Sequence, residues 1–235
     1  MIIPWLRGFL SWNKAPIAWM LLTFNVFIFL LTHPIDLRLE KTTSSLFANS
    51  EDLIFTGEMY FQWKNHLNED SFLQSHLQFV KMKRSQQLLL GSQALREPKF
   101  AEQYTQFSFV GDHVAIGKWK EQMNLYYNKL EARQASILGL SYKHSWPTWI
   151  TYQFMHASWM HLIGNMVMLL IFAAAVEVLL GNLFSGLGLI VIYLLGGFFG
   201  AACFVWLGSP SLTPMVGASG SLSAIMSFYV IAENR

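Results

Sequence analysis

Val216-Gly217-Ala218-Ser219-Gly220-Ser221-Leu222-Ser223-Ala224-Ile225-Met226 opens the last apolar segment of the chain, and its reading decides what kind of molecule this is. Eight of the eleven residues from Gly217 to Ser227 are Gly, Ala or Ser. Two readings compete. Small residues at four-residue spacing (Gly220 and Ala224; Ser219, Ser223 and Ser227) let one membrane helix lie close against another. Alternatively, Gly217 and Gly220 clear space around a nucleophilic Ser219, whose neighbouring backbone N–H groups, free at a helix start, hold an oxyanion. A soluble hydrolase elbow would be Gly-x-Ser-x-Gly on a strand-to-helix turn. Here the fifth position is Ser221 and no strand pattern precedes it, which argues against that version. The stretch alone leaves packing and chemistry both open.

The surrounding composition is that of a membrane protein. Of 235 residues, 53% are hydrophobic, with 19 Phe and 9 Trp, and only 13% are charged, against about 25% in soluble domains. Thirteen of the 16 Lys and Arg fall between Arg38 and Lys143, and from His144 to Ala232 the only formally charged side chain is Glu177. A net charge of +2 is too small to suggest a nucleic-acid partner. The single cysteine, Cys203, lies in an apolar run and supports neither a disulfide framework nor a metal cluster.

Met1–Lys14 is short, aromatic and basic (Trp5, Arg7, Trp12, Lys14). Residues 15–32 follow without a charge and extend about 27 Å as a helix, enough to cross a bilayer core. The run is too long for a signal peptide, and Thr32-His33-Pro34 is no small-x-small cleavage site. It predicts a retained first transmembrane helix. Residues 33–147 are mixed and charged, and about 115 residues is too long for a bare loop. They predict a helical extramembrane domain inserted between the first and second spans. Within it Asn49-Ser50-Glu51-Asp52 reads as a helix start. Ile116, Trp119, Met123, Tyr126, Tyr127 and Leu130 form the stripe of an amphipathic helix. Lys81-Met82-Lys83-Arg84 reads as a solvated helix face, and His66, His76 and His113 as surface histidines without ligand spacing.

Trp149–Leu180 predicts the second span, with His156, His161 and Asn165 at its entrance and Glu177 near its far end. His161 and Asn165 share one helical face. Burying an unpaired amide in hydrocarbon costs roughly 2–7 kcal/mol, so polar groups at membrane depth are functional candidates by default. The plainer alternative is that both hydrogen-bond to a neighbouring helix. Zinc does not fit, because the histidines are five apart and lack the Glu of His-Glu-x-x-His. Gly181-Asn182 predicts a tight turn, Leu183–Leu207 a third span containing Gly196-x-x-x-Gly200, and Ser209–Pro214 a loop with two prolines. The fourth span is expected from about Gly217 to Ala232, so that residues 148–235 form an all-α membrane core. The chain stops at Glu233-Asn234-Arg235, directly at a helix end, which reads as a truncation.

With both polar clusters in hand, the chain resembles the rhomboid family of intramembrane serine proteases. The resemblance rests on His156-Ala-Ser-Trp-Met-His161-Leu-Ile-Gly-Asn165-Met166 and on Gly217-Ala-Ser219-Gly220, supported by Thr151-Tyr-Gln-Phe154 and Glu177. It implies a rhomboid-like helical bundle whose first four spans are present, acting as an endopeptidase on transmembrane protein substrates. By that likeness Ser219 is the nucleophile, while His161 and Asn165, with the Ser219 backbone N–H, hold the oxyanion. His156, Gly217 and Gly220 support them, and neither metal nor other cofactor is implied. Three features depart from the family pattern. No histidine follows His161, so the general base is missing and the chain as given is expected to be inactive. Ser223 stands where an aromatic residue is common, and Trp146-Pro147-Thr148 replaces a Trp-Arg pair. The rival reading is a non-catalytic rhomboid-like protein that binds membrane clients. A transporter or channel would need repeats or charged pore rings, and neither is seen. Arg7 and Lys14 beside the first span predict a cytoplasmic N-terminus, in line with the topology the resemblance implies, and a multi-pass protein of the bacterial inner membrane is expected.

Overall fold

A computed structural model describes residues 12–65, 69–141, 145–208 and 212–233. Arg7, His66, the Ser209-Pro210-Ser211 half of the proline loop and Arg235 lie outside them. The described chain is helical: α1 (Pro16–Ser45), α2 (Ser50–Lys64), α3 (Glu69–Lys81), α4 (Arg84–Ala94), α5 (Pro98–Gln103), α6 (His113–Glu131), α7 (Gln134–Leu138), α8 (Thr148–Thr151), α9 (Trp159–Leu207) and α10 (Ser219–Glu233). It gathers into two compact units, one formed mainly by the chain up to Asp36 and from Gln134 onward, the other mainly by Leu37–Arg133.

Among the described residues, three helical stretches are long and apolar enough to cross a membrane: α1 and the two arms of α9, Trp159–Gly181 and Gly186–Leu207. The arms part at Gly181, whose φ of 72° is a left-handed value that glycine reaches without penalty, so the expected turn is realised there. α10 has 15 residues, close to the expected Gly217–Ala232 but short of the about 20 that cross a bilayer core. α1 does not end near Thr32 but continues through Pro34 to Ser45. The charges that begin at Asp36 mark a change of surroundings rather than a helix stop. Pro34 removes only one N–H donor, a loss that a long helix can absorb with a bend.

In the first unit, Phe29 on α1, Leu169 and Ala173 on the first arm, Leu189 and Tyr193 on the second, and Ile225 on α10 are fully buried together. Carboxylates tie both parts of α1 into this unit. Glu177 is 2% exposed, and its two oxygens accept from Ile17 N–H (3.0 Å) and Ala18 N–H (2.8 Å), which have no partner inside α1. Asp36 accepts from the first N–H groups of α7, Gln134 (2.6 Å) and Ala135 (3.0 Å). Where α9 meets α10 the two helices come very close. A methyl at Gly196 would collide with Ala224, and one at Gly200 would lie 3.3 Å from Gly220 Cα. The four-residue spacing of small residues therefore does serve packing.

The second unit has its own aromatic core. Phe100, Trp119, Met123, Met59 and Tyr104 are buried together, and Trp119 Nε1–H donates to Thr56 Oγ1 at 3.1 Å. The expected stripe lies on α6, with Ile116, Trp119 and Met123 buried and Tyr126 and Tyr127 packed at the edge. Asn49 caps α2 by accepting from Glu51 N–H, and Asp112 caps α6 through Val114 N–H. α2 and α4 cross at two glycines: a methyl at Gly57 would come within 2.6 Å of Gln87 O, and one at Gly91 would overlap Leu53 O. Lys81 and Lys83 are exposed, and Arg84 pairs with Glu51 at 2.8 Å on the surface.

Candidate active site

The site grows from the N-terminus of α9. Ser158 caps this helix, its hydroxyl accepting from His161 N–H at 3.2 Å, which sets His161 in the first turn. Asn165 follows one turn later on the same face and is 9% exposed. Its Nδ2 is buried without a hydrogen-bond partner. His156 precedes the helix and is 4% exposed, with both ring nitrogens bare. Its ring meets that of His161 edge-on at 5.3 Å.

Across from them stands the turn into α10. Met215 and Leu140 exchange a pair of backbone hydrogen bonds (3.0 and 2.7 Å), and Gly217 N–H donates to Tyr152 O at 2.9 Å. Gly217 then takes a φ of 122°, a region that side-chain-bearing residues avoid. The absent side chain matters as much as the angle. A methyl there would lie 2.7 Å from His161 Nε2 and Cε1 and 3.5 Å from Asn165 Nδ2. Gly217 thus lets the backbone meet the edge of the imidazole and the bare amide directly.

Ser219 is the first residue of α10 and is exposed, and among the described residues no hydrogen bond holds its hydroxyl. Ala218 O accepts from Leu222 N–H at 2.9 Å, so the N–H groups of the first turn, Ser219 included, have no acceptor within the helix. Gly220 is drawn elsewhere. A methyl on it would lie 3.2 Å from Tyr152 Oη and 3.4 Å from Gly200 Cα, so it serves the seam with α9. The fold therefore gathers His156, His161, Asn165 and Gly217, sets Ser219 just beyond them on a helix start, and turns Gly220 to packing.

A buried amide donor without a partner carries a penalty of about 1–3 kcal/mol, which an incoming acceptor relieves. Fixed donors in a water-poor site are what a developing oxyanion requires.

Three residues before His156 stands a further buried polar group, Gln153. Gln153 is fully buried, accepting at Oε1 from Ser221 Oγ (2.9 Å) and donating from Nε2 to Trp149 O (3.3 Å). Its backbone oxygen accepts from Tyr193 Oη–H at 3.3 Å, and Tyr152 Oη–H donates to Gly197 O at 2.6 Å. Its signal in the sequence was its place in Thr151-Tyr-Gln-Phe154, beside the histidine cluster.

Residues 143–235 match the family model for the Rhomboid domain. The chain is 36% identical over 100 residues to "Rhomboid-like protein 11, chloroplastic" from Arabidopsis thaliana, a stretch that is 41% of this chain and 34% of that protein. The chain thus spans about a third of the length of the relative it matches. No solved structure matches the chain. The family match takes in both the histidine cluster and the α10 turn, and on that footing residues 143–235 are a Rhomboid domain within an integral membrane protein.

Proposed function

We propose that this chain carries the nucleophile and oxyanion side of a rhomboid-type intramembrane serine endopeptidase acting on transmembrane protein substrates. The observation that carries the reading is the approach of Gly217 to His161 and to the bare, buried amide of Asn165. In this reading Ser219 Oγ attacks the scissile carbonyl. The resulting oxyanion accepts from Asn165 Nδ2, from the His161 imidazole and from the Ser219 backbone N–H, with His156 holding water close by. Within these 235 residues no histidine follows His161, so the proton acceptor for Ser219 comes from outside them. A second reading is a rhomboid-like protein that binds membrane clients without cutting them, in keeping with the matched relative's name of rhomboid-like protein.

The accompanying topology is also proposed. α10 is the fourth span, and residues 33–147 are an extramembrane insertion after the first. The N-terminus faces the cytoplasm, and the site opens to the outer half of the bilayer. A bacterial inner membrane suits this arrangement, and a chloroplast, as the matched relative's name has it, is the other setting.

The test is cleavage of a transmembrane substrate by the native full-length protein in vesicles. Ser219→Ala should abolish it, together with labelling by a fluorophosphonate probe. Full cleavage by Ser219→Ala would remove Ser219 as nucleophile. Substrate binding without cleavage by the wild type would favour the client-binding reading.

A further inference from the structure

The structure assigns Gln153 as a positioning residue: with the Tyr152 carbonyl, its side chain ties down the backbone on either side of Ser219 and sets that serine against His161 and Asn165. The assignment rests on the reading of Ser219 as nucleophile.

Ser219 lacks any side-chain hydrogen bond among the described residues and lies on an exposed face, so nothing in its own side chain fixes it. Its placement depends on its backbone neighbours. Two residues before it, Gly217 N–H donates to Tyr152 O at 2.9 Å. Two residues after it, Ser221 Oγ donates to Gln153 Oε1 at 2.9 Å. Both anchors lead to one dipeptide, Tyr152-Gln153, and Ser219 stands midway between them.

That dipeptide is itself held from several directions. Gln153 Nε2 reaches back to Trp149 O, and its backbone oxygen accepts from Tyr193 on the second arm of α9. Tyr193 Oη in turn lies 3.4 Å from Asn25 Nδ2 on α1. A methyl at Gly197 would overlap the Gln153 carboxamide, so the second arm of α9 is notched at the place where this side chain lies. Three residues after Gln153 comes His156, and five further on His161. One short segment therefore registers both halves of the site, the helix start bearing Ser219 and the strand of chain leading to the imidazoles. Every polar atom of the Gln153 carboxamide group has a partner of the right kind, which fixes the side chain in one orientation. A misplacement near 1 Å between reacting groups can cost about 10²-fold in rate.

The experiment uses the native full-length protein in vesicles, as wild type, Gln153→Met, Ser221→Ala and the double variant. Hydrogen exchange of residues 215–222 is read against residues 166–173 of α9, alongside the rate of fluorophosphonate labelling at Ser219 and the thermal midpoint. Gln153→Met should speed exchange in 215–222 selectively and slow labelling by about 10-fold or more. The double variant leaves neither partner of the Ser221–Gln153 bond bare, and its thermal midpoint should recover towards wild type. Its labelling and exchange should not recover. If labelling returns together with stability, or if exchange in 215–222 is unchanged in folded Gln153→Met, the assignment is overturned. Should Gln153→Met fail to fold, Ser221→Ala decides: it should loosen 215–222 and slow labelling, and wild-type values for both overturn the assignment. A wild-type protein with a protected turn but an unlabelled Ser219 would instead refute the nucleophile, leaving the exchange data to judge the tie.

Discussion

Asn165 and Gln153 are both buried amides a few ångströms from the same turn, yet they are held in opposite ways. Gln153 is satisfied, whereas Asn165 keeps its Nδ2 bare. Removing a satisfied group strands its partners, but removing a bare donor relieves a penalty that offsets the lost packing. Asn165→Ala should therefore keep the thermal midpoint of the full-length protein within about 2 °C of wild type while proteolysis falls by about 10²–10³-fold. A midpoint lowered by many degrees would mean that Asn165 is a structural strut. The two residues also differed in legibility. His161 and Asn165 stood out because polar groups four apart in an apolar run are costly and share a face. Gln153, within Thr151-Tyr-Gln-Phe154, does not stand out in the same way, because its partners Ser221 and Tyr193 are 68 and 40 residues away. No local pattern encodes such meetings.

Among the elements, the turn at Gly181, the cap at Asn49 and the stripe on α6 were readable, because each follows from the backbone needs of one short segment. The end of α1 was not. The end of the charge-free run signalled a boundary near Thr32, but helix continuation depends on backbone hydrogen bonding, which charged side chains leave intact. The start of α1 is likewise settled at a distance. Glu177 neutralises two orphan N–H groups of a helix 160 residues away in sequence, and a carboxylate there also meets the positive end of the helix dipole. Glu177→Gln keeps one acceptor but turns an amide group against the second N–H. It should destabilise the protein by about 1.5–3 kcal/mol, read as a lowered thermal midpoint in detergent. A change below about 2 °C would show that shape rather than charge is what α1 requires.

At the scale of the whole molecule, each unit has a hydrophobic core of its own. Residues 46–133 carry the aromatic cluster around Trp119, so this fragment should fold alone as a soluble helical domain with cooperative thermal unfolding by circular dichroism. Trp119→Ala removes the buried centre together with the bond to Thr56. It should cost that fragment about 3–5 kcal/mol or unfold it. A fragment that stays unfolded with Trp119 intact would mean that the cluster needs the rest of the chain to form. In the other unit, the carboxylate ties on α1 have a consequence for the lipid around it. Glu177 grips the helix at Ile17, and Asp36 fastens it to α7. The nineteen residue steps between those points rise about 28 Å, close to the hydrocarbon depth of an ordinary bilayer. A helix pinned at one end only could tilt to suit a thinner or thicker membrane, but one pinned at both cannot slide or lean against the rest of its unit without breaking a tie. The length of α1 between its ties is thus set by the protein's own contacts and not by the thickness of the lipid around it.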